Sequence, residues 1–296
     1  MNDSSSHIIL QVERAASDLR RGQPVILTGA GKKDLLVRPG EYLPGEKAET
    51  DNNHPAVRLL KIGGLLPRAV VENVPAHSGD EFLTVPADAV MGYPEALAAS
   101  LERISEARVP LETAENTRIV AFRPRFGHHE HLAVIVGQPE RLDAPYVRVH
   151  SSCITGDLLG SMRCDCGSQL QKALKEIGVQ KHGAIIYLSQ EGRGINIANK
   201  LRAYELQDKG MDTVEANEAL GFLPDERDYA LAAEMLRQLG LRKITLLTNN
   251  PTKIKALADH GIEVVRREPV VTEITAHNRE YLRTKAVKMG HHLKDD

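Results

Sequence analysis

The stretch His150-Ser-Ser-Cys153-Ile-Thr-Gly-Asp157-Leu-Leu-Gly-Ser-Met-Arg-Cys164-Asp-Cys166-Gly167 contains every cysteine of a 296-residue chain. Such clustering does not describe a disulfide framework. Three thiols leave one unpaired, and Cys164 and Cys166, with one residue between them, would close a strained ring. A cytosolic chain also lacks the oxidising surroundings in which bridges persist. Metal binding is the better reading, because zinc takes thiolates in tetrahedral geometry. Three thiolates are one ligand short of a closed structural site. His150 or Asp165 would close it, or the thiols would simply pack without metal. A fourth position left to water would instead make a catalytic site, in which zinc lowers the pKa of that water toward neutrality. The open site is the functional reading.

Around the cysteines the pattern is that of alternating strands and helices. Arg118 to Phe122, Leu132 to Val136 and Tyr146 to Val149 read as strands separated by Pro/Gly turns. Downstream come a helix at Gln169 to Ile177, a strand at Ala184 to Leu188, helices at Asn196 to Lys209 and Glu226 to Leu239, a strand at Lys243 to Leu247, a helix at Thr252 to His260 and a strand at Glu263 to Val265. Gly240 and Gly261 are helix C-terminal signals, and Tyr281 to Met289 reads as a last helix. Upstream, Val12, Ala15, Ala16 and Leu19 mark a helix leading into the strand Val25-Ile26-Leu27. Residues 28 to 55 read as irregular, a second α/β stretch covers Val57 to Leu60 and Ala69 to Val71, and Tyr93 to Ile104 reads as helical. The polar stretch Glu112 to Asn116 places a domain junction near residue 110. The expectation is an α+β or α/β protein: a smaller α/β domain over residues 1–110, then a domain over 111–296 with a mixed β-sheet and flanking helices.

Composition narrows the partners. Hydrophobic residues make up 42% and charged residues 26%, and 38 Lys+Arg against 40 Asp+Glu give a formal charge of −2. That is the composition of a globular protein without the basic excess that nucleic-acid binding needs. No apolar run approaches the roughly 18 residues of a membrane span, and Met1 to Leu10 lack the basic-then-apolar order of a signal peptide. No membrane association and a cytoplasmic location are expected.

The cysteine stretch is followed in order by Gln190-Glu-Gly-Arg193, Asn199-Lys-Leu-Arg-Ala-Tyr204-Glu-Leu-Gln-Asp208, Asp212-Thr-Val-Glu-Ala-Asn217, Leu220-Gly-Phe222, Asp225-Glu-Arg227 and Leu247-Thr-Asn-Asn-Pro-Thr-Lys253. Over residues 118 to 290 this succession resembles GTP cyclohydrolase II. The resemblance implies an enzyme that opens the imidazole ring of GTP at C8, releases formate and pyrophosphate, and supplies the pyrimidine that starts riboflavin synthesis. It implies one Zn2+ on Cys153, Cys164 and Cys166, Mg2+ with the substrate phosphates, and a homodimer. It carries over Asp225 as proton acceptor, Arg227 as the residue acting at the α-phosphate, and Tyr204 for orientation or proton transfer. In the family this Arg is cast as a nucleophile, but a guanidinium stays protonated at ordinary pH, so electrostatic stabilisation is physically easier. The implied substrate contacts are Arg148, Val149, His150, Ser151, Ser152, Gln169, Glu191, Gly192, Arg193, Thr213, Thr248 and Lys253. Arg148, Arg193 and Lys253 suit phosphate, and the Glu191 carboxylate suits guanine, whose N1–H and amine it can accept together. Lys200, Tyr204 and Asp208, at i, i+4 and i+8, share one helical face.

Departures from the family pattern and three decoys complete the reading. Ser152 stands where many members have Glu, Ser189 where Arg is common, and Gly194-Ile-Asn-Ile-Ala where Gly-Ile-Gly-Leu-Leu is usual. Ala15 to Leu27 faintly resembles the start of 3,4-dihydroxy-2-butanone 4-phosphate synthase, to which this family is often fused. Thr28 to Lys33 replaces the acidic, magnesium-holding loop expected next, so that activity is expected to be absent. Gly29-Ala-Gly-Lys-Lys lacks the Gly and the Ser/Thr of a phosphate loop, with Ile26 and Lys33 at those places. His128-His129-Glu130-His131 lacks the helical spacing of a zinc site and reads as a polar turn and strand edge. Alternatives to the full reaction are a hydrolase that stops at the formamide, a non-catalytic GTP-binding module, and a purine deaminase. The last would want a His-x-Glu signature absent near these cysteines.

Overall fold

A computed structural model of the chain describes residues 3–31, 33–41, 51–74, 81–127 and 129–272, with 284, 287, 288 and 290 beyond them. The helix expected at Tyr281 to Met289 therefore lies almost wholly outside the described residues. The contacts divide the chain into two compact units, Met1–Ser100 with Arg193–Glu226, and Leu101–Gly192 with Arg227–Asp296.

The chain opens with α1 (Asp3–Arg20), which buries Ile9, Val12, Ala16 and Leu19 along one face, the helical period expected of them. Next come β1 (Val25–Thr28), β2 (Leu35–Pro39), α2 (Pro55–Ile62), β3 (Ala69–Asn73), β4 (Leu83–Pro86), α3 (Ala87–Met91) and α4 (Tyr93–Ala99). The strands form one sheet in the order β3-β2-β1-β4, with β1 and β4 parallel and the other pairs antiparallel. β2 is a departure from the irregular reading of residues 28 to 55: Leu36 and Val37 are buried in a strand of five residues, too short to show a period amid Lys, Gly and Pro. Because β1 and β2 make an antiparallel pair, Gly29 and Gly31 lie between two strands and not between a strand and a helix. That geometry does not cradle phosphate.

The second unit begins with β5 (Leu101–Arg108), β6 (Thr117–Pro124), β7 (His131–Val136), β8 (Tyr146–Ser151), α5 (Cys166–Gln180) and β9 (Gly183–Leu188). β5 corrects the helical reading of Tyr93 to Ile104. α4 stops at Ser100, and Leu101 to Arg108 pair antiparallel with β6, a tertiary partner that overrides helical spacing. After β9 the chain re-enters the first unit as α6 (Asn196–Asp208) and α7 (Thr213–Ala219). α7 spans only seven residues, yet its capping box, Asp212 and Glu215 exchanging backbone N–H bonds, is a sequence-level start signal. The second unit resumes with α8 (Ala230–Gln238), β10 (Lys243–Leu247), α9 (Pro251–Asp259) and β11 (Glu263–Glu268). α8 starts four residues later than Glu226, where the Asp228 carboxylate accepts the Ala230 N–H at 2.8 Å. Asp225 and Arg227 thus precede the helix in irregular chain.

These strands make a seven-stranded mixed sheet in the order β11-β10-β8-β9-β7-β6-β5. β9, β8, β10 and β11 are parallel, and β9, β7, β6 and β5 antiparallel. Five of the six residues of β9 are buried, as expected of a strand covered on both faces, and α5 and α8 both pack on it. Ala173 and Ile177 of α5 meet Val136, Ile185, Leu247 and Val270. Burial of each such aliphatic side chain contributes about 1.5–3 kcal/mol. The carboxyl ends of β8, β9 and β10 share one edge of this sheet, the edge at which open parallel sheets bind ligands.

Of the histidine run, His128 lies outside the described residues. His131 opens β7 and is 3% exposed, and its Nδ1 accepts the Ser189 N–H at 3.1 Å, which requires an unprotonated ring nitrogen. Burial, helped by His129, holds its pKa down to about 4. An unfolded histidine takes its proton near pH 6.5, so stability is complete above that pH and falls as acid approaches pH 4, by about 3 kcal/mol. Urea unfolding from pH 7 to 4.5 is expected to show this loss in the wild type and a flatter dependence in His131→Asn, whose amide oxygen replaces Nδ1.

Candidate functional site

β8 delivers Arg148, Val149, His150 and Ser151, and the chain then enters a single wide turn, Ile154–Leu158, closed by π-helical hydrogen bonding. Cys153 stands at the start of that turn, and Cys166 is the first residue of α5 with Cys164 two residues before it. All three sulfurs lie within 4.8 Å of one another, and Cys153 Sγ to Cys164 Sγ is 3.8 Å. Two thiolates at about 2.3 Å from one tetrahedral zinc would stand about 3.8 Å apart. Gly156 completes the cradle: a Cβ there would meet Cys164 Sγ at 2.9 Å and Cys153 Sγ at 3.1 Å. Its carbonyl in turn needs Gly167, where a Cβ would meet it at 2.2 Å.

The donor chemistry fits a soft divalent metal. The Cys164 thiol is pushed above its usual range, first by its contact with Cys153, and a cation among the sulfurs would reverse that shift. Among the described residues, no other side chain joins this group of ligand atoms. His150 is engaged by Asp157, its Nε2 lying 3.1 Å from both carboxylate oxygens, and Asp165 accepts from Gln169. The protein thus offers three thiols, without closure by His150 or Asp165.

Asp157 is the residue that sequence reasoning left unassigned. Its carboxylate, 7% exposed, accepts from His150, from the Cys153 N–H at 3.0 Å and from the Tyr187 hydroxyl at 2.9 Å. The register of β8 and β9 sets His150 opposite Tyr187, and their rings stack at 5.6 Å. Burial holds His150 below the usual imidazole range, so it is neutral. With Nε2–H donated to Asp157, Nδ1 keeps a buried lone pair for which the described atoms supply no partner. Asp157→Asn leaves donors facing donors and is expected to cost about 3 kcal/mol, read as a lowered urea midpoint at unchanged slope.

The other second-unit residues frame the same edge. Arg148 is buried and turns two nitrogens inward, to the Leu247 carbonyl at 2.9 Å and Gln169 Oε1 at 2.5 Å. Gln169 passes the chain of bonds to Asp165, the residue between two cysteines. Glu191, just after β9, accepts the Ile154 N–H at 2.7 Å and the Gly192 N–H at 3.2 Å, and so ties the cysteine turn to β9. Lys253, on α9, donates to the Val149 carbonyl at 2.8 Å, and Thr248 accepts the Asn250 N–H at the end of β10. Ser152 N–H meets the Leu188 carbonyl, and the Ser151 hydroxyl is buried without a partner among the described atoms. Arg227 packs over the Tyr229 ring at 5.7 Å.

Arg193, Tyr204, Thr213 and Asp225 belong to the first unit. Lys200 Nζ lies 5.8 Å from the centre of the Tyr204 ring, as their shared helical face predicts. Thr213 is the first residue of α7, beside the cap Asp212. Gly192, Arg193, Gly194 and Asn196 all have left-handed backbone, with φ of 63°, 62°, 93° and 69°. Asn196 stands where the family usually has Gly, and Asn is among the residues that best tolerate this conformation.

The sequence model of GTP cyclohydrolase II matches residues 102–269. GTP cyclohydrolase-2 of Azospirillum brasilense is 51% identical over 244 residues, 80% of this chain and 63% of that protein. GTP cyclohydrolase-2 of Pasteurella multocida is 47% identical, over 66% of this chain and 89% of its own length. The riboflavin biosynthesis protein RibBA of Endomicrobium trichonymphae is 37% identical over 91% of this chain and 72% of its own, so that most of the first 100 residues fall inside the match. The chain belongs to the GTP cyclohydrolase II family. It spans a little under two thirds of the Azospirillum relative.

Proposed function

We propose that this chain has the activity of its family: with Zn2+ on Cys153, Cys164 and Cys166 it hydrolyses GTP at guanine C8. The products are formate, pyrophosphate and 2,5-diamino-6-(5-phosphoribosylamino)pyrimidin-4(3H)-one, the first step of riboflavin biosynthesis. The observation that carries this reading is the three-thiol cradle at the carboxyl edge of parallel strands in a chain of this family. Bound there, zinc supplies a Lewis acid and a water of lowered pKa. Neutral His150 offers Nδ1 as an acceptor. The Glu191 carboxylate reads guanine, since one carboxylate can accept from both N1–H and the exocyclic amine. Arg148, Arg193 and Lys253, with Mg2+, take the phosphates, and Gln169, bonded to Arg148 and Asp165, contacts the substrate beside them. Tyr204 orients the base or transfers a proton, Asp225 accepts a proton, and Arg227 remains cationic and stabilises charge at the α-phosphate. Val149, Ser151, Ser152, Gly192, Thr213 and Thr248 complete the contacts. The protein works as a cytoplasmic homodimer, and residues 1–110 lack synthase activity.

No described helix is long and apolar enough to cross a membrane. Incubation with GTP and Mg2+, followed by mass spectrometry and assays for formate and pyrophosphate, tests the reading. Equal amounts of the three products are expected; a pyrimidine that keeps its formyl group would mark a hydrolase that stops early, and unchanged or deaminated GTP would contradict it.

A further inference from the structure

Within the first unit, the segment 193–226 rests on α2 and the turn after it. Leu66 packs on the cluster of Ile195, Ala203, Leu206, Ala216, Leu220 and Phe222. Asn199 Nδ2 donates to the Gly64 carbonyl at 3.4 Å, and a Cβ at Gly64, whose φ is 71°, would meet the Asn196 amide at 2.9 Å. The strongest link is ionic. Lys61, at the end of α2, donates to Glu226 Oε1 at 2.5 Å and to Asn52 at 2.5 Å, with its ammonium 5.9 Å from the centre of the Phe222 ring. The two charged side chains are 15% and 13% exposed, so each needs the other. The same Glu226 oxygen accepts the Leu223 N–H at 2.7 Å, and the Glu226 N–H donates to the Arg193 carbonyl at 3.2 Å. A Cβ at Gly194 would lie 2.8 Å from the Glu226 carbonyl. Lys61 therefore reaches, through one residue, both the left-handed run that carries Arg193 and the irregular chain that carries Asp225.

We propose that Lys61 is a positioning residue for GTP turnover, and that residues 1–100 serve this chain as a brace that holds segment 193–226 in its working conformation. The role deepens the cyclohydrolase reading and rests on it. A methionine at position 61 keeps the stem over Phe222 and removes the ammonium, leaving Glu226 charged and half of its contacts unmade. An arginine restores the charge. Asp225 and Arg193 are then displaced without any change at the cysteines, so chemistry suffers more than metal binding.

Full-length wild type, Lys61→Met and Lys61→Arg are compared by GTP turnover, zinc content, thermal unfolding and amide hydrogen exchange. In Lys61→Met, kcat is expected to fall about tenfold or more, with KM changed far less and zinc content unchanged. Exchange in peptides covering 193–200 and 221–228 rises on the order of tenfold, while peptides of β8 and β9 keep wild-type protection. Lys61→Arg recovers most of both. Wild-type kcat and exchange in Lys61→Met would overturn the proposal, as would exchange that rises uniformly over the whole chain or a loss that Lys61→Arg does not recover. If wild type leaves GTP unchanged, the cyclohydrolase reading fails; the exchange arm alone then decides the brace.

Discussion

Cys164→Ser is expected to abolish both metal retention and GTP ring opening while leaving the protein folded. A serine hydroxyl is a hard, protonated donor where zinc wants a thiolate, and only Cys153 and Cys166 would remain. The wild type is expected to carry about one zinc per chain. Loss of a residue that merely orients a ligand costs 10- to 100-fold in affinity, and loss of the ligand itself exceeds that, so formate release should fall by more than about a hundredfold. The fold survives because its core does not depend on the cysteines. Val136, Ala173, Ile177, Ile185, Leu247 and Val270 pack between α5 and the sheet whether or not metal is bound. Elemental analysis, formate assay and circular dichroism on the same preparation separate the outcomes. Full zinc content with full activity in the mutant would refute the assignment of this ligand.

Gly156→Ala tests the shape of the cradle with every ligand in place. Gly156 has no left-handed backbone that an alanine would strain, so the effect is confined to the methyl group. That methyl would sit 2.9 Å from Cys164 Sγ, and 3.1 Å from both Cys153 Sγ and Cys166 Cβ. The sulfurs must spread, and the turn is hemmed in on its other side, where the Gly156 carbonyl occupies the place a Cβ of residue 167 would take. Zinc affinity is expected to fall about 10- to 100-fold, the range seen when the supports of a metal site are disturbed. Competition against a chromophoric chelator reads this directly. Wild-type affinity in Gly156→Ala would mean that the sulfurs do not converge as described.

The sequence showed the fold class and the thiol centre more clearly than it showed what supports them. The cysteines, and the strand and helix on either side, were legible because spacing and apolar runs are local signals. Asp157 and Tyr187 were not. An acid in a Gly-rich turn reads as solvated, and a tyrosine in Ala184-Ile-Ile-Tyr-Leu188 reads as another apolar strand residue. The register of β8 against β9 brings Tyr187 to His150, and the wide turn after β8 folds Asp157 back onto it. Arg148 was legible as a cation of this edge, but its bonds to the Leu247 carbonyl and Gln169 were not, because they depend on which strand face points inward. Leu101 to Ile104 read as the end of a helix, because their pairing with β6 is not a local signal. The membership of 193–226 in the first unit was likewise invisible, since it rests on long-range contacts such as Leu66 with the Phe222 cluster and Lys61 with Glu226.

The most direct test of the central claim is a zinc titration of chelator-stripped protein, in which formate release from GTP and Mg2+ is measured against metal bound per chain. No formate is expected from the stripped protein, and activity is expected to rise linearly and saturate at about one zinc per chain. Formate released at the wild-type rate by protein without zinc, or zinc bound stoichiometrically with GTP untouched, would contradict the claim.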